Sequence, residues 1–205
     1  MIFFKCIQSA IILYALSFFY ATVITERKKM DKNITIRPAK PEDAEQFVLL
    51  ENLIYRKTYE KILSSEVILR KEEQTSNRVL MFSDTHKNDK ENICYVVEID
   101  GSLVGYFWGK LHSSYEYYNS KGYADLIALY IHPDYQGLGI ASKLKQIFVD
   151  WVKSNGATKF VIGVLKDNYN ARKVYERWGG VLDNYTSEYK GCDEVFYTYN
   201  LEKEQ

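Results

Sequence analysis

Apolar and polar positions along the chain alternate or recur in ways that divide it into short strands and helices. Residues 34–38 alternate and predict a first strand. Pro41-Glu42-Asp43 then opens a helix over about 42–55, with acids in its first turn beside the positive end of the helix dipole. A second helical stretch, polar and charged on one side, is predicted over about 58–80, followed by a polar loop at 84–91. Two strands, 92–99 and 103–111, flank the turn Asp100-Gly101. A tyrosine-rich loop at 113–123 leads to a strand at 126–131. The next helix, about 140–155, carries Ile140, Leu144, Ile147, Phe148, Trp151 and Val152 at helical spacing. A strand at 159–165 leads into a helix that Asn168 caps and Gly179-Gly180 stops. Two last strands, about 181–188 and 195–201, complete the order β-α-α-β-β-β-α-β-α-β-β.

The most informative turn is His132-Pro133-Asp134-Tyr135-Gln136-Gly137-Leu138-Gly139-Ile140-Ala141, between strand and helix. A glycine-bearing turn that opens a helix leaves backbone N–H groups unpaired near the positive end of its dipole, a setting that binds phosphate. A pair of glycines also serves simply as a tight turn. The segment lacks the Gly-Lys-Ser/Thr ending of the P-loop, and Ser142 stands where a dinucleotide fingerprint needs its third glycine. Downstream, Asn168, Ala171, Tyr175, Glu176 and Gly179 fall in the pattern Asn-x-x-Ala-x-x-x-Tyr-Glu-x-x-Gly, with Ala171, Val174, Tyr175 and Trp178 on one helical face.

Gln136, Gly139 and Ala141 form Gln-x-x-Gly-x-Ala, which resembles the acetyl-CoA pyrophosphate loop of the GCN5-related N-acetyltransferases (GNAT family). The Asn168–Gly179 pattern resembles the second motif of the same family. The resemblance covers about 34–201 and departs at Gly180, where the family more often has Phe. It implies an α/β (α+β) fold: a mixed, mostly antiparallel central sheet flanked by helices, with central strands splayed to admit the acyl donor. It also implies acetyl transfer from acetyl-CoA to a primary amine of a small molecule or peptide, by direct attack in a ternary complex. The alternative within the same resemblance is a non-catalytic acyl-CoA sensor or assembly subunit. A homodimer is a common arrangement in the family.

Roles follow residue by residue from the resemblance. Backbone N–H groups of Gly137, Leu138, Gly139, Ile140, Ala141 and Ser142 would hold the pyrophosphate, with Gln136 beginning the loop. The main chain of Leu129, Tyr130 and Ile131 would pair with the pantetheine arm like an added strand, and an N–H near Ile131 would polarise the thioester carbonyl. Asn168 would hydrogen-bond the pantetheine. Tyr175 would stand near the sulfur as general acid, a phenol whose ordinary pKa lies only about 1.5 units above that of a thiol. Asp125 would relay the amine proton through water, or stand as a solvated strand-end residue. Glu51 and Tyr59 are weaker candidates for the base, His132 reads as a turn residue, and His86 and His112 carry no assignment. Tyr55, Tyr59, Tyr115, Tyr117 and Tyr118 are expected to line the acceptor site, with Glu116 and Asp125 suiting a cationic amine.

Composition narrows this picture. Lys plus Arg equals Asp plus Glu at 27 each, so nothing favours nucleic acid as a partner. The three cysteines, Cys6, Cys94 and Cys192, lack metal-ligand spacing, which points to a reducing compartment and no structural metal; Cys192 reads as a surface-loop residue. Residues 7–24 are almost wholly apolar and followed by Glu26-Arg27-Lys28-Lys29. They read as an upstream extension before Met30 or as a membrane anchor, and in either case the domain at 34–203 faces the cytoplasm. Residues 1–30 are thus separated from the acetyltransferase domain, and a membrane enters as a partner only if the anchor is real.

Overall fold

The computed structural model describes residues 33–202. The apolar segment 7–24, and with it the choice between extension and anchor, lies outside the described residues. Among the described residues no helix is long and apolar enough to cross a membrane.

Seven strands form one sheet: β1 (Ile34–Pro38), β2 (Asn92–Ile99), β3 (Ser102–Lys110), β4 (Ala124–Ile131), β5 (Lys159–Leu165), β6 (Val181–Tyr189) and β7 (Cys192–Asn200), in the order β1-β2-β3-β4-β5-β7-β6. The pairs β2–β3, β3–β4, β5–β7 and β6–β7 are antiparallel, and β4–β5 is parallel. The helices are α1 (Ala44–Tyr59), α2 (Ser65–Glu73), α3 (Thr75–Leu80), α4 (Phe82–Thr85), α5 (Glu116–Asn119), α6 (Ile140–Ser154) and α7 (Tyr169–Arg177). The expected mixed, mostly antiparallel sheet flanked by helices is therefore the observed one.

Beyond shifts of a few residues at element ends, two features differ from the sequence pattern. The predicted helix over 58–80 is interrupted at residues 60–64 and at Gln74. Ser64 accepts from the Val67 N–H and so starts α2 afresh, while Leu63 drops into a cluster with Tyr55, Ile68 and Leu165. The tyrosine-rich stretch contains the short helix α5, which seats Tyr118 against Val161 and Phe196. Helical periodicity alone did not reveal either break, because both depend on what the side chains meet in the core.

The sheet has two unlike faces. On one, Phe47, Leu50 and Ile54 of α1 pack against Cys94, Val96 and Tyr106, with Trp108, Ala128 and Tyr130 partly buried beside them. On the other, Phe148 of α6 meets Phe107 edge-on at 6.1 Å and Phe160 at 5.3 Å. Glu51 pairs with both Lys71 and Arg78, tying α1 to α2 and α3.

The parallel pair is the short one. β4 and β5 are in register only at Ala124↔Phe160 and Asp125↔Val161, and then part. The cause lies in the neighbouring ladder. Trp108 pairs with Ala128 but Gly109 pairs with Leu126, so Ile127 is an extra residue on β4. Such a bulge bends its strand and sharpens its twist. It falls just past Asp125 and turns β4 away from β5. Gly109 is required there: a Cβ would lie 2.4 Å from the Phe148 ring and 3.1 Å from the Asp125 carbonyl oxygen. Gly109→Ala is expected to destabilise the fold by about 1–3 kcal/mol through overpacking, read as a lower urea midpoint with unchanged slope.

Candidate active site

The strand-to-helix turn is built to leave donors free. After β4, the His132 N–H donates to the Val104 carbonyl (2.8 Å), and the His132 Nδ1 accepts from the Asp134 N–H (3.3 Å), which makes His132 a turn residue. Gln136 folds back and donates from Nε2 to the Ile131 carbonyl (3.0 Å), fastening the loop to the end of β4. Gly137 and Gly139 then take φ of 78° and 73°, a region that costs a residue with a Cβ roughly 1–2 kcal/mol. The first helical bond of α6 is Lys143 N–H to the Gly139 carbonyl (3.2 Å), so the N–H groups of residues 140–142 make no bond within the helix. No side chain caps this end of α6 and no acid stands in its first turn. The result is a concentrated positive potential with unspent donors, which fits a pyrophosphate.

The edge of β4 continues that site. Because the His132 N–H points to β3, strand alternation turns the main-chain groups of Ala128 and Tyr130 to β3 as well, and those of Leu129 and Ile131 away from it. That side faces the gap where β5 has parted. The Ile131 carbonyl is taken by Gln136; the N–H of Ile131 and both main-chain groups of Leu129 face the opening. An extended chain could add there as a strand does.

Side chains from three elements converge at the same gap. The hydroxyls of Tyr59, at the end of α1, and Tyr130, on β4, lie 3.0 Å apart. Asn168 caps α7 by accepting from the Ala171 N–H (3.3 Å), and its amide lies beside the Tyr59 hydroxyl. Burial raises the Tyr59 pKa, against the pull of Tyr130 and Asn168. Tyr175 of α7 packs edge-on to Tyr197 at 5.9 Å, and its carbonyl accepts from the Tyr199 hydroxyl (2.9 Å). Its own hydroxyl makes no hydrogen bond among the described residues. Burial, and then the neighbouring Tyr59, push its pKa up, so Tyr175 holds its proton.

Asp125 is not a solvated strand-end residue: it is 2 % exposed. It accepts from the Ser113 hydroxyl (3.2 Å) and the Ser114 N–H (3.1 Å), and so anchors the tyrosine-rich loop. Burial pushes its carboxyl up to about 6, against those two hydrogen bonds, and the nearby Glu194 adds to the rise. Glu194, on β7, was missed in the sequence. It is buried too, accepting from the hydroxyls of Tyr115 (2.9 Å) and Ser187 (2.7 Å). The signal was there: Glu194 alternates with Phe196, so it had to face a packed surface.

The other expected site residues separate. Glu51 is spent on Lys71 and Arg78. Tyr118 is fully buried core, and Tyr117 stacks on Tyr185 at 4.3 Å under Lys121. Tyr55 is buried, with its hydroxyl 3.3 Å from that of Tyr189. Glu116 is exposed. His86 sits among Phe47, Phe82 and Trp108, where burial lowers its pKa to about 4. Cys192 is no loop residue: it opens β7 and its Sγ donates to the Ile62 carbonyl (3.6 Å). No group of three or more His, Cys, Asp or Glu side chains is placed to hold a metal among the described residues.

Comparison with known proteins places this geometry. A family model described as Acetyltransferase (GNAT) family matches residues 54–180. Mycothiol acetyltransferase of Streptomyces avermitilis is 31 % identical over 85 residues, 42 % of this chain and 26 % of the relative. N-alpha-acetyltransferase 30 of Schizosaccharomyces pombe is 41 % identical over 59 residues, 29 % of this chain and 38 % of the relative. The matched stretch thus spans about a quarter to two-fifths of these relatives' length. Among solved structures, paiA N-acetyltransferase of Thermoplasma acidophilum, in complex with coenzyme A, superposes with a TM-score of 0.64 at 20 % identity, over 82 % of this chain and 99 % of that one. The yncA protein of Salmonella typhimurium, with acetyl-CoA, gives 0.59 at 18 % identity, over 84 % and 96 %. At these identities the likeness shows the fold.

The buried Asp125 carries a pH signature. Its folded carboxyl is raised from 3.8 to about 6, so between those values the folded chain holds more protons than the unfolded one. Its contribution to stability therefore falls as pH rises through that window. Relative to Asp125→Asn, wild type is expected to lose about 2–3 kcal/mol of unfolding free energy between pH 4 and pH 7, measured by urea denaturation of both proteins at each pH.

Proposed function

Because the chain belongs to the GNAT acetyltransferase family, whose model spans residues 54–180, we propose that it transfers the acetyl group of acetyl-CoA to a primary amine of a small molecule or peptide, by direct attack in a ternary complex. The observation that carries this reading is the continuity of two unspent hydrogen-bonding surfaces. The N–H groups at the start of α6 lead to the open edge of β4 at Ile131 and Leu129, next to the unpartnered Tyr175 hydroxyl.

Acetyl-CoA supplies the activated thioester. The chain's residues supply the rest. Main-chain donors of Gly137 through Ser142 bind the pyrophosphate, with Gly137 and Gly139 setting their convergence and Gln136 holding the loop to β4. Leu129 and Ile131 pair with the pantetheine arm, and the Ile131 N–H faces the thioester carbonyl as an oxyanion donor. Asn168 holds its helix end and presents its amide toward the same arm. Tyr175, neutral by burial, donates to the leaving thiolate. Burial in the shared wall disfavours the charge on thiolate and phenolate alike, so the ordinary gap between their pKa values is not widened by enclosure alone. Asp125 gives the acceptor side negative potential while its oxygens anchor Ser113 and Ser114.

The name of one relative refers to mycothiol and that of another to an Nα-amine, so both small-molecule and peptide acceptors belong to the reading. Cys94 and Cys192 are free thiols, which supports a reducing, cytoplasmic location. The domain in this reading is residues 34–203.

Thiol release from acetyl-CoA in the presence of a panel of primary amines and short peptides tests the activity directly. Tyr175→Phe is expected to lower kcat by about a hundredfold with unchanged acetyl-CoA affinity. Because the hydroxyl has no partner to lose, stability should also stay unchanged; equal turnover in the variant would remove Tyr175 from the chemistry. Gly139→Ala is expected to weaken acetyl-CoA binding roughly tenfold in calorimetry, through the cost of its left-handed backbone.

A further inference from the structure

The acceptor side of the gap holds a second buried carboxylate that the family motifs do not include. Glu194 lies between Leu165 of β5 and Ser187 of β6 in the register of β7. It is 8 % exposed. Its Oε2 accepts from the Tyr115 hydroxyl at 2.9 Å and the Ser187 hydroxyl at 2.7 Å, so its partners are neutral hydroxyls and not a cation. Its Oε1 lies over Gly163, where an added Cβ would stand 2.9 Å from it. Gly163 is two residues past Val161, the last residue of β5 that pairs with β4. The absence of a side chain at 163 therefore lets this oxygen rest on the β5 wall of the gap.

Titratable groups face Glu194 from three directions. Tyr59 reaches in from α1, Tyr115 from the tyrosine-rich loop and Asp125 from β4. The negative charge of Glu194 raises the pKa of each of these three groups. A buried carboxylate that lacks a cation is costly, and here one oxygen is left for a cation to come. The two hydroxyl donors on Oε2 hold the carboxylate in a fixed direction.

Resting on the acetyltransferase reading, we propose that Glu194 receives the ammonium of the acceptor on Oε1 and is the base that takes its proton, and that the acceptor is a primary alkylammonium with no carboxylate beside the amine. The ammonium N–H bond breaks and its proton passes to Oε1. The nitrogen lone pair forms the C–N bond, and the C–S electron pair leaves on sulfur, which takes the Tyr175 proton. The second proton of the amine restores Tyr175, and Glu194 releases its proton to solvent, so one proton is liberated per amide and thiol formed. Asp125 is a positioning residue here: it fixes the loop that carries Tyr115. With two carboxylates on one wall, an acceptor bearing its own carboxylate is repelled.

The test compares propylamine with 3-aminopropanoate, which differ in the carboxylate, on the full chain with acetyl-CoA. Wild type should release thiol at least tenfold faster, in kcat/KM, with propylamine. Glu194→Gln should lower kcat about a hundredfold and leave acetyl-CoA affinity unchanged by calorimetry. Ser187→Ala removes one donor that aims the carboxylate and should lower kcat several-fold with acetyl-CoA affinity unchanged, and Ser187→Thr, which keeps the hydroxyl, should restore it. Should Glu194→Gln fail to fold, Glu194→Asp and Ser187→Ala keep the question open to measurement, since the first must retain part of the rate and the second must lower kcat. Wild-type kcat in Glu194→Gln or in Ser187→Ala, or equal or absent release with the two amines, overturns the proposal. Failure of wild type to bind acetyl-CoA would overturn the acetyltransferase reading instead.

Discussion

Pairing between β4 and β5 stops after Ala124 and Asp125, and the site exists because it stops there. A parallel pair in the middle of a sheet normally satisfies its own main chain along its whole length. Here one extra residue, Ile127, in the ladder on the opposite side of β4 bends the strand off before that can happen. Gly109, against the Phe148 ring and the Asp125 carbonyl, makes the bulge sterically feasible. A packing detail on the α6 face thereby sets the width of an opening on the other edge of the strand.

The opening leaves polar groups unspent, and this unites the parts of the site. Buried or semi-buried N–H groups are usually paired. In the first turn of α6 and on the open edge of β4 they are not, because two left-handed glycines and an uncapped helix turn them outward together. A ligand with a phosphate at one end and an extended amide-bearing arm would satisfy both sets at once. The same arrangement explains why Gln136 matters without needing to touch a ligand: its bond to the Ile131 carbonyl fixes the angle between loop and strand.

On the α1 face the wall is chemically different. Tyr59, Tyr130 and Tyr175 bring hydroxyls to the gap from a helix, a strand and a second helix, and burial keeps all three protonated. Asp125 and Glu194 stand behind them as carboxylates held by hydroxyls and a main-chain N–H. Donors thus line the side where negative charge would develop on sulfur and oxygen. Carboxylates line the side from which a cation would enter. That polarity, more than any single residue, distinguishes the site from an ordinary cleft.

Local chemistry made much of this readable from the sequence. Glycine at 137 and 139, the Asn168 cap and the apolar spacing of 140–152 act over a few residues, so the loop, both motif helices and β5 stood where the pattern placed them. The places of Asn168 at the cap and Tyr175 on the helix were legible for the same reason. Other features were decided only by contacts far apart in the chain. The break at residues 60–64 depends on Leu63 meeting Leu165, and the parting of β4 from β5 depends on Phe148 and Gly109. The burial of Asp125 depends on a loop eleven or twelve residues away folding over it, since its partners are Ser113 and Ser114. Glu194 gained a fixed direction from Tyr115, which is 79 residues distant. Hydrogen-bond capping and turn strain are short-range and are written in adjacent residues. Desolvation and the aim of a buried carboxylate are sums over everything packed around it, and only the tertiary structure performs that sum.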